Sequence, residues 1–246
     1  MPSDDKPPSV TYLQAYQAGL ARASRIVIVG GGAVGVQMAC DLKELYGSAK
    51  DVTLVHSRDA LMPRYHPALS ALIKARFADL GVRLVTGTRV VVPADGGFNA
   101  GPRNTAERQE VLLQDGRTIP ADFVIVATGQ TPNNQLVRGL AGGDSDAALV
   151  NPQNGFVRVR PTMQFADQRF PNLFAVGDIA DSGAHKAARP GQVQAAVAAR
   201  NIASLVGGGE ASAELVVAPA SIHITLGLVS SLSLDSLALV GICRVC

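Results

Sequence analysis

The sequence predicts an α/β fold built on a doubly wound parallel sheet, and three observations carry that reading. The short continuous apolar runs RIVIV (25–29), DVTLV (51–55) and FVIVA (123–127) have the length and composition of strands buried on both faces. Segments with helical spacing of apolar residues, 33–47 and 67–81, follow the first and second of these runs. The first run opens into a glycine-rich turn at Gly30 that leads straight into a helix. With VRLVTGT (82–88) as a further strand, the order β-α-β-α-β is the repeating unit of such sheets, whose crossovers are right-handed.

The elements follow in order. A polar, Pro-rich tip precedes an Ala/Leu/Gln-rich helix over 9–23. The helix at 33–47 stops at Gly47, and the next begins at Pro67 and ends at Gly81. Residues 93–109 are rich in Gly, Asn and Arg and read as a loop. A hairpin turns at Asp115–Gly116 ahead of FVIVA. Residues 139–155 read as a flexible connection, and 155–165 alternate like a half-buried strand. NLFAVGDIAD (172–181) reads as an apolar strand ending in Gly-Asp, and 191–208 as an amphipathic helix. From Ser221 the chain is apolar but Ser-rich and interrupted by Asp235, and it reads as a poorly packed terminus. A weak membrane-surface association is the alternative for this tail.

Composition narrows the function classes. The 246 residues are 47% hydrophobic and 17% charged, so a buried core is available and disorder is excluded. A net charge of +2 offers no field for recruiting nucleic acid. Aromatics make up 4% and Trp is absent, so the core rests on aliphatic residues and close glycine contacts. Three cysteines make no disulfide framework, and the polar start MPSDDKPPSV does not read as a signal peptide. A soluble cytoplasmic protein is the expectation.

The residues that carry chemistry form the pattern Gly30-x-Gly32-x-x-Gly35. Gly30 permits a tight turn, Gly32 lets backbone approach a diphosphate, and Gly35 seats the helix close to the strand. Gly31, Ala33 and Val34 complete the loop and the first helical turn, whose N–H groups and positive dipole end favour phosphate. This Rossmann-like arrangement predicts a dinucleotide site. At the end of the second strand stands His56-Ser57-Arg58-Asp59, with no acid at the strand end itself. Arg58 suits the 2′-phosphate of NADP, while the neighbouring Asp59 leaves NAD open.

Two further segments, VIVATGQTPN and LFAVGDIADSGAHKAARPGQVQAAVAARNI, join GGGAVGVQMACDLKELY and VTLVHSRDALM in one order. Together they resemble the pyridine-nucleotide/flavin oxidoreductases, and within them the apoptosis-inducing-factor-like, AMID-type enzymes, over about residues 24–206. The resemblance implies NAD(P)H and FAD as cofactors, with hydride passing to the flavin and on to a quinone-like small-molecule acceptor. It assigns Thr128 and Gly129 to the crossing between domains, Gly177 to the cofactor-binding Gly-Asp motif, Asp178 to the flavin's ribityl chain, and Lys186 to the flavin's vicinity. It also places Gln37 where the family usually carries a Glu that seats the nicotinamide-side ribose.

The implied organisation is an N-terminal helical segment (1–24), a nicotinamide domain (25–129), the C-terminal part of an FAD-binding domain (130–220) and a divergent apolar tail (221–246). The sequence contains one glycine fingerprint, not the two such enzymes use, so a chain shortened at its N-terminus is expected. Strand LFAVG would then present an open edge for a partner chain or oligomer. Cys40 reads as a small buried residue, and Cys243-x-x-Cys246 lacks the strand-to-helix setting of a redox pair. His66, His185 and His223 have no ligand spacing, so no metal is expected. Three functions follow: a flavin-dependent oxidoreductase, a non-catalytic NAD(P)-binding module, and a surface-interaction protein acting through its tail.

Overall fold

The computed structural model describes residues 5–93, 98, 109–140, 146–228, 230–235 and 238–244. In chain order the elements are α1 (Lys6–Arg22), β1 (Arg25–Val29), α2 (Ala33–Tyr46), β2 (Asp51–Val55), α3 (Pro67–Leu80), β3 (Arg83–Val85), β4 (Gln109–Leu112), β5 (Thr118–Ala121) and β6 (Phe123–Val126). They continue with α4 (Gln135–Arg138), α5 (Asp146–Leu149), β7 (Val157–Arg158), β8 (Ala180–Asp181), α6 (Ala188–Val206), β9 (Ile222–Thr225), β10 (Ser230–Asp235) and β11 (Ala238–Arg244). The chain divides into two compact units, residues 1–129 with 221–246, and residues 130–220.

The first unit is organised by a parallel sheet of order β3-β2-β1-β6. Because side chains alternate across a strand, β1 sends Ile26 and Ile28 to one face and Val27 and Val29 to the other. The first face is covered by helices, with Leu69, Ile73 and Phe77 of α3 and Val36 and Ala39 of α2 packed on Ile28, Leu54 and Phe123. α1 joins this layer through Tyr16, whose ring meets Phe123 edge-on at 4.9 Å. A hairpin covers the second face in place of a helix: Val111 and Leu113 with Ile119 and Ala121 close over Val27, Val55 and Val124. Its turn falls where expected, with Gly116 at φ 85.

Lys50 is 3% exposed and sits against the end of α1. Its ammonium donates to the carbonyls of Leu20 (2.8 Å), Ala21 (2.9 Å) and Ala23 (2.5 Å), and lies 4.3 Å from the centre of the Tyr46 ring. One buried cation therefore satisfies three carbonyls that the helix leaves unpaired. Lys50→Met keeps the apolar stem and leaves those carbonyls unpaired. A loss of about 1–3 kcal/mol in urea unfolding is expected, and no loss would show that water replaces the ammonium.

Several expectations need correction. α1 begins at Lys6, not residue 9, because Pro7 and Pro8 occupy its first turn, where a missing N–H is harmless. α6 begins at Ala188, ahead of Gly191, with Pro190 tolerated for the same reason. The strand expected at 82–88 is paired only over Arg83–Val85. Alternation over 155–165 does not make one strand. The chain turns back at Met163, a fully buried residue with φ 66, so Val159 bridges Phe165 instead of extending.

Residues 172–176 are not a strand in the second unit. Phe174 makes a single bridge to Gln164, and Leu173 stays 37% exposed. A buried strand needs neighbours on both sides, and among the described residues only 163–165 pair with this segment, through the Phe174 bridge and backbone bonds to Leu173 and Ala175. The connection 139–155 contains α5, with Leu149 and Val150 buried against Val157 and Phe165, while 141–145 lie outside the described residues. Most of the loop expected at 93–109 lies outside them too.

The tail differs most from expectation. β9, β10 and β11 pair antiparallel, and Ile224 and Leu226, each 1% exposed, enter the helical layer of the first unit. Arg76 of α3 donates to the Leu226 carbonyl at 3.0 Å and pairs with Glu44 of α2, which also receives the Leu228 N–H. Residues 222–228 are thus tied to both helices by charge-assisted bonds, which short-range periodicity does not reveal. No described helix is long and apolar enough to cross a membrane.

Candidate functional site

The carboxyl ends of β1, β2, β3 and β6 surround a cavity of about 630 Å³, at the position where open parallel sheets bind ligands. Its floor is the glycine turn. Gly30 has φ 118, and a Cβ there would lie 2.3 Å from the Ala127 carbonyl oxygen, so this crossing between β1 and β6 excludes any side chain. Gly30 N–H donates to the Val55 carbonyl at 2.8 Å, which ties the turn to β2. A Cβ on Gly35 would lie 2.0 Å from the Gly30 carbonyl oxygen, so the absent side chain lets α2 sit down on the turn.

Gly32 caps α2, and no side chain caps the helix there. A Cβ on Gly32 meets nothing within 4 Å. An uncapped 14-residue helix thus points its first amides into an open cavity, as an anionic diphosphate requires. The residues present fit that group.

Gly31 is fixed from the side. Its N–H donates to Nδ1 of His56 at 3.0 Å, and its carbonyl accepts from Met62 N–H at 3.4 Å. Burial first, then the positive charge of Arg58, pushes the His56 imidazole below its ordinary pKa of 6.5, against a backbone hydrogen bond at Ala60 that raises it. The ring is therefore neutral at pH 7 and free to accept through Nδ1. The unfolded chain takes up this proton from about pH 6.5 downward, and the folded chain only at lower pH. The contribution is complete above 6.5 and is lost as pH falls through the lower folded value. Thermal melts from pH 5 to 8 should show this decline, and His56→Asn, which keeps an acceptor that does not titrate, should flatten it.

The expected site residues divide as follows. Gly30, Gly31, Gly32, Ala33, His56, Arg58, Thr128 and Gly129 all line the cavity. Gly35 is buried beneath it, and Val34 points outward at 61% exposure. Gln37 is not among the lining residues: its amide donates to Thr225 Oγ1 at 2.8 Å, linking α2 to β9.

The structure adds Met62, Arg64, Tyr65, Thr88 and Arg89. Arg64 lies on the loop after β2, and Arg89 stands just beyond β3. Both were reachable from the rule that ligands sit at strand carboxyl ends, applied to the third strand and to the whole loop beyond the second. Among the described residues no acidic side chain lines the cavity, and Arg58, Arg64 and Arg89 enter none of the ion pairs.

Gly177, Asp178 and Lys186 belong to the second unit. Gly177 has φ 79, and a Cβ on it meets nothing within 4 Å. The exposed Asp178 accepts from Gln130 Nε2 at 3.2 Å. Lys186 donates to the Ala180 carbonyl, and its ammonium lies 4.1 Å from the centre of the Phe156 ring. Next to this turn α6 starts at an N-cap, Ala187, without a side-chain bond. An exposed carboxylate, open backbone and an uncapped helix fit the polar chain and ring of a flavin. The sequence holds no second glycine cradle for its ADP half.

Cys40 lies in the core at 0% exposure, and burial pushes its thiol up to about 12. It is neither reachable nor ionised at neutral pH.

Comparison with known proteins agrees with this geometry. The pyridine nucleotide-disulphide oxidoreductase pattern matches residues 5–199. Fe-regulated protein 8 of Mycosarcoma maydis is 37% identical over 224 residues, which cover 89% of this chain and 51% of that one. Ferroptosis suppressor protein 1 of Mus musculus is 32% identical over 195 residues, 77% of this chain and 48% of that one. An FAD-dependent pyridine nucleotide-disulphide oxidoreductase from Desulfovibrio vulgaris superposes with TM-score 0.55 at 27% identity, covering 89% of this chain and 52% of that chain. The chain spans about half the length of these relatives. On the match over residues 5–199, together with the glycine cradle and parallel sheet that fit it, this chain belongs to the pyridine nucleotide-disulphide oxidoreductase family.

Proposed function

We propose that the chain serves a flavin-dependent NAD(P)H oxidoreductase, binding NADPH in the cavity of its first unit. The observation that carries the reading is the uncapped start of α2, open at Gly32, over a turn where Gly30 and Gly35 admit no side chain. The amides of Gly32 and Ala33 hold the diphosphate, and His56 keeps Gly31 in place through the Nδ1 bond. Arg58, with Arg64 or Arg89 beside it, neutralises the 2′-phosphate, and these three arginines in the lining favour NADPH over NADH. Thr128 and Gly129 wall the cavity at the end of β6. In the second unit Asp178 would hold the ribityl hydroxyls of FAD, and the uncapped start of α6 would favour negative charge beside it. FAD, when bound, supplies the redox chemistry between the nicotinamide and the acceptor.

The acceptor we propose is a small quinone-like molecule and not a disulphide. Cys40 is a free thiol of the first unit, buried with its pKa raised, and it offers no redox partner to a disulphide.

Arg58→Glu should weaken NADPH by about 1–3 kcal/mol more than NADH. Calorimetric titration with adenosine 2′,5′-bisphosphate reads the same contact without a nicotinamide. Equal losses for the two dinucleotides would remove Arg58 from phosphate recognition. The whole reading is tested by adding FAD to the purified chain and recording its visible spectrum under nitrogen. A retained flavin band that NADPH bleaches supports it. A colourless chain that still binds NADPH favours the second reading, a nucleotide-binding module.

A further inference from the structure

We infer that Gln194 of α6 is a positioning residue that sets the Gly177–Asp178 turn and, through it, the presentation of the Asp178 carboxylate; the inference rests on the flavin reading given above. Gln194 is 3% exposed, on the helix face that also buries Val197, Ala198 and Asn201. A glutamine there is expensive to bury unless both ends of its amide are bonded. Both are. Oε1 accepts from Gly177 N–H at 2.7 Å, and Nε2 donates to Ser182 Oγ at 2.9 Å. The two partners stand on either side of β8, so one side chain fixes the entry and exit of the segment that carries Asp178.

The backbone supports this reading. Gly177 takes φ 79, a conformation that other residues adopt at a cost and that a glycine does not hold by itself. A Cβ on Gly191 would lie 3.5 Å from Gly177 Cα, so the first turn of α6 rests directly on this position. The bond from Gln194 converts that proximity into a fixed geometry. Asp178, the next residue, is exposed and follows wherever Gly177 is held. Apolar packing at position 194 would serve α6 equally well; the amide instead specifies one position for the turn.

Asn201 provides the control. It is 1% exposed, two turns along the same face, and it also uses both ends of its amide, on Thr162 and Ala213. Those partners are remote in sequence from the Gly177–Asp178 turn.

The test compares Gln194→Leu, Ser182→Ala and Asn201→Leu in the full chain, with FAD as the added ligand. Gln194→Leu should weaken FAD binding about tenfold, the equivalent of one lost hydrogen bond, and alter the shape of the visible flavin band. Ser182→Ala should move both readouts in the same direction by about threefold. Asn201→Leu should lower the melting temperature while leaving flavin affinity and spectrum as in the parent. Parent-like flavin binding and spectrum in Gln194→Leu would overturn the inference, as would losses in all three variants that simply track their melting temperatures. If the parent takes up no FAD, the flavin reading itself fails, and amide hydrogen exchange decides the clamp. Exchange at Gly177 about tenfold faster in Gln194→Leu supports it, and unchanged exchange rejects it.

Discussion

Gly32→Glu is expected to abolish NAD(P)H binding while leaving the fold intact. Gly32 has φ −82 and ψ −176, which any residue adopts, and its Cβ position is open for 4 Å. The new side chain therefore meets no protein atom near its root and extends into the space above the first amides of α2. A carboxylate at that end of the helix is favourable in the absence of ligand, so the melting temperature should change by no more than about 2 °C. The same carboxylate fills the diphosphate position and repels it. Affinity for NADPH and NADH should fall together by at least about 100-fold, roughly 2.7 kcal/mol. Titration by nicotinamide fluorescence reads the loss. Retained affinity would mean the dinucleotide lies elsewhere.

The opposite separation is expected at Gly35, where the fold itself is at stake. In a helix interior, Gly→Ala ordinarily stabilises by about 1 kcal/mol. Here the added methyl would stand 2.0 Å from the Gly30 carbonyl oxygen and 3.1 Å from its carbon. Both atoms are backbone of the turn between β1 and α2, which is held by the Val55 carbonyl and by His56, so neither yields cheaply. Either α2 lifts from the sheet or the turn opens. Both outcomes expose Val36, Ala39 and the residues they cover. Gly35→Ala should therefore lose about 2–4 kcal/mol in urea unfolding despite its better helix propensity. A gain in stability would contradict the close seating of the helix.

How much of this was legible in the sequence depends on the range over which each signal acts. The parallel strands and the two helices between them follow from local apolar runs and from Gly and Pro at their ends, with β1, β2 and β6 nearly as expected and β3 shortened to Arg83–Val85. Proline misleads in one direction only. Pro7, Pro8 and Pro190 look like breaks, yet all three sit in first turns, where proline is at home. Alternation at 155–165 misleads because the buried Met163 takes φ 66, and nothing in its chemistry announces that.

The tail departs from its local pattern because Ile224 and Leu226 are placed by partners more than a hundred residues away, Arg76 and Glu44 among them. At the site, the glycine pattern named the floor of the cavity and Arg58 one wall. Arg64 and Arg89 carry no motif of their own: one lies in the loop beyond the second strand and the other past the third, where only the folded sheet brings them to the cavity. Gln194 carried no sequence signal, since a glutamine among alanines reads as a solvated helical position.

The central claim is that the backbone amides at the start of α2 grip the diphosphate, and it is tested most directly by amide chemical shifts. In a proton–nitrogen spectrum of the chain titrated with NADPH, the amides of Gly32, Ala33 and Val34 should move furthest. Their displacement should saturate at the same concentration as the quenching of the nicotinamide. Saturable binding that leaves those three amides in place, with the largest shifts elsewhere, would contradict the account.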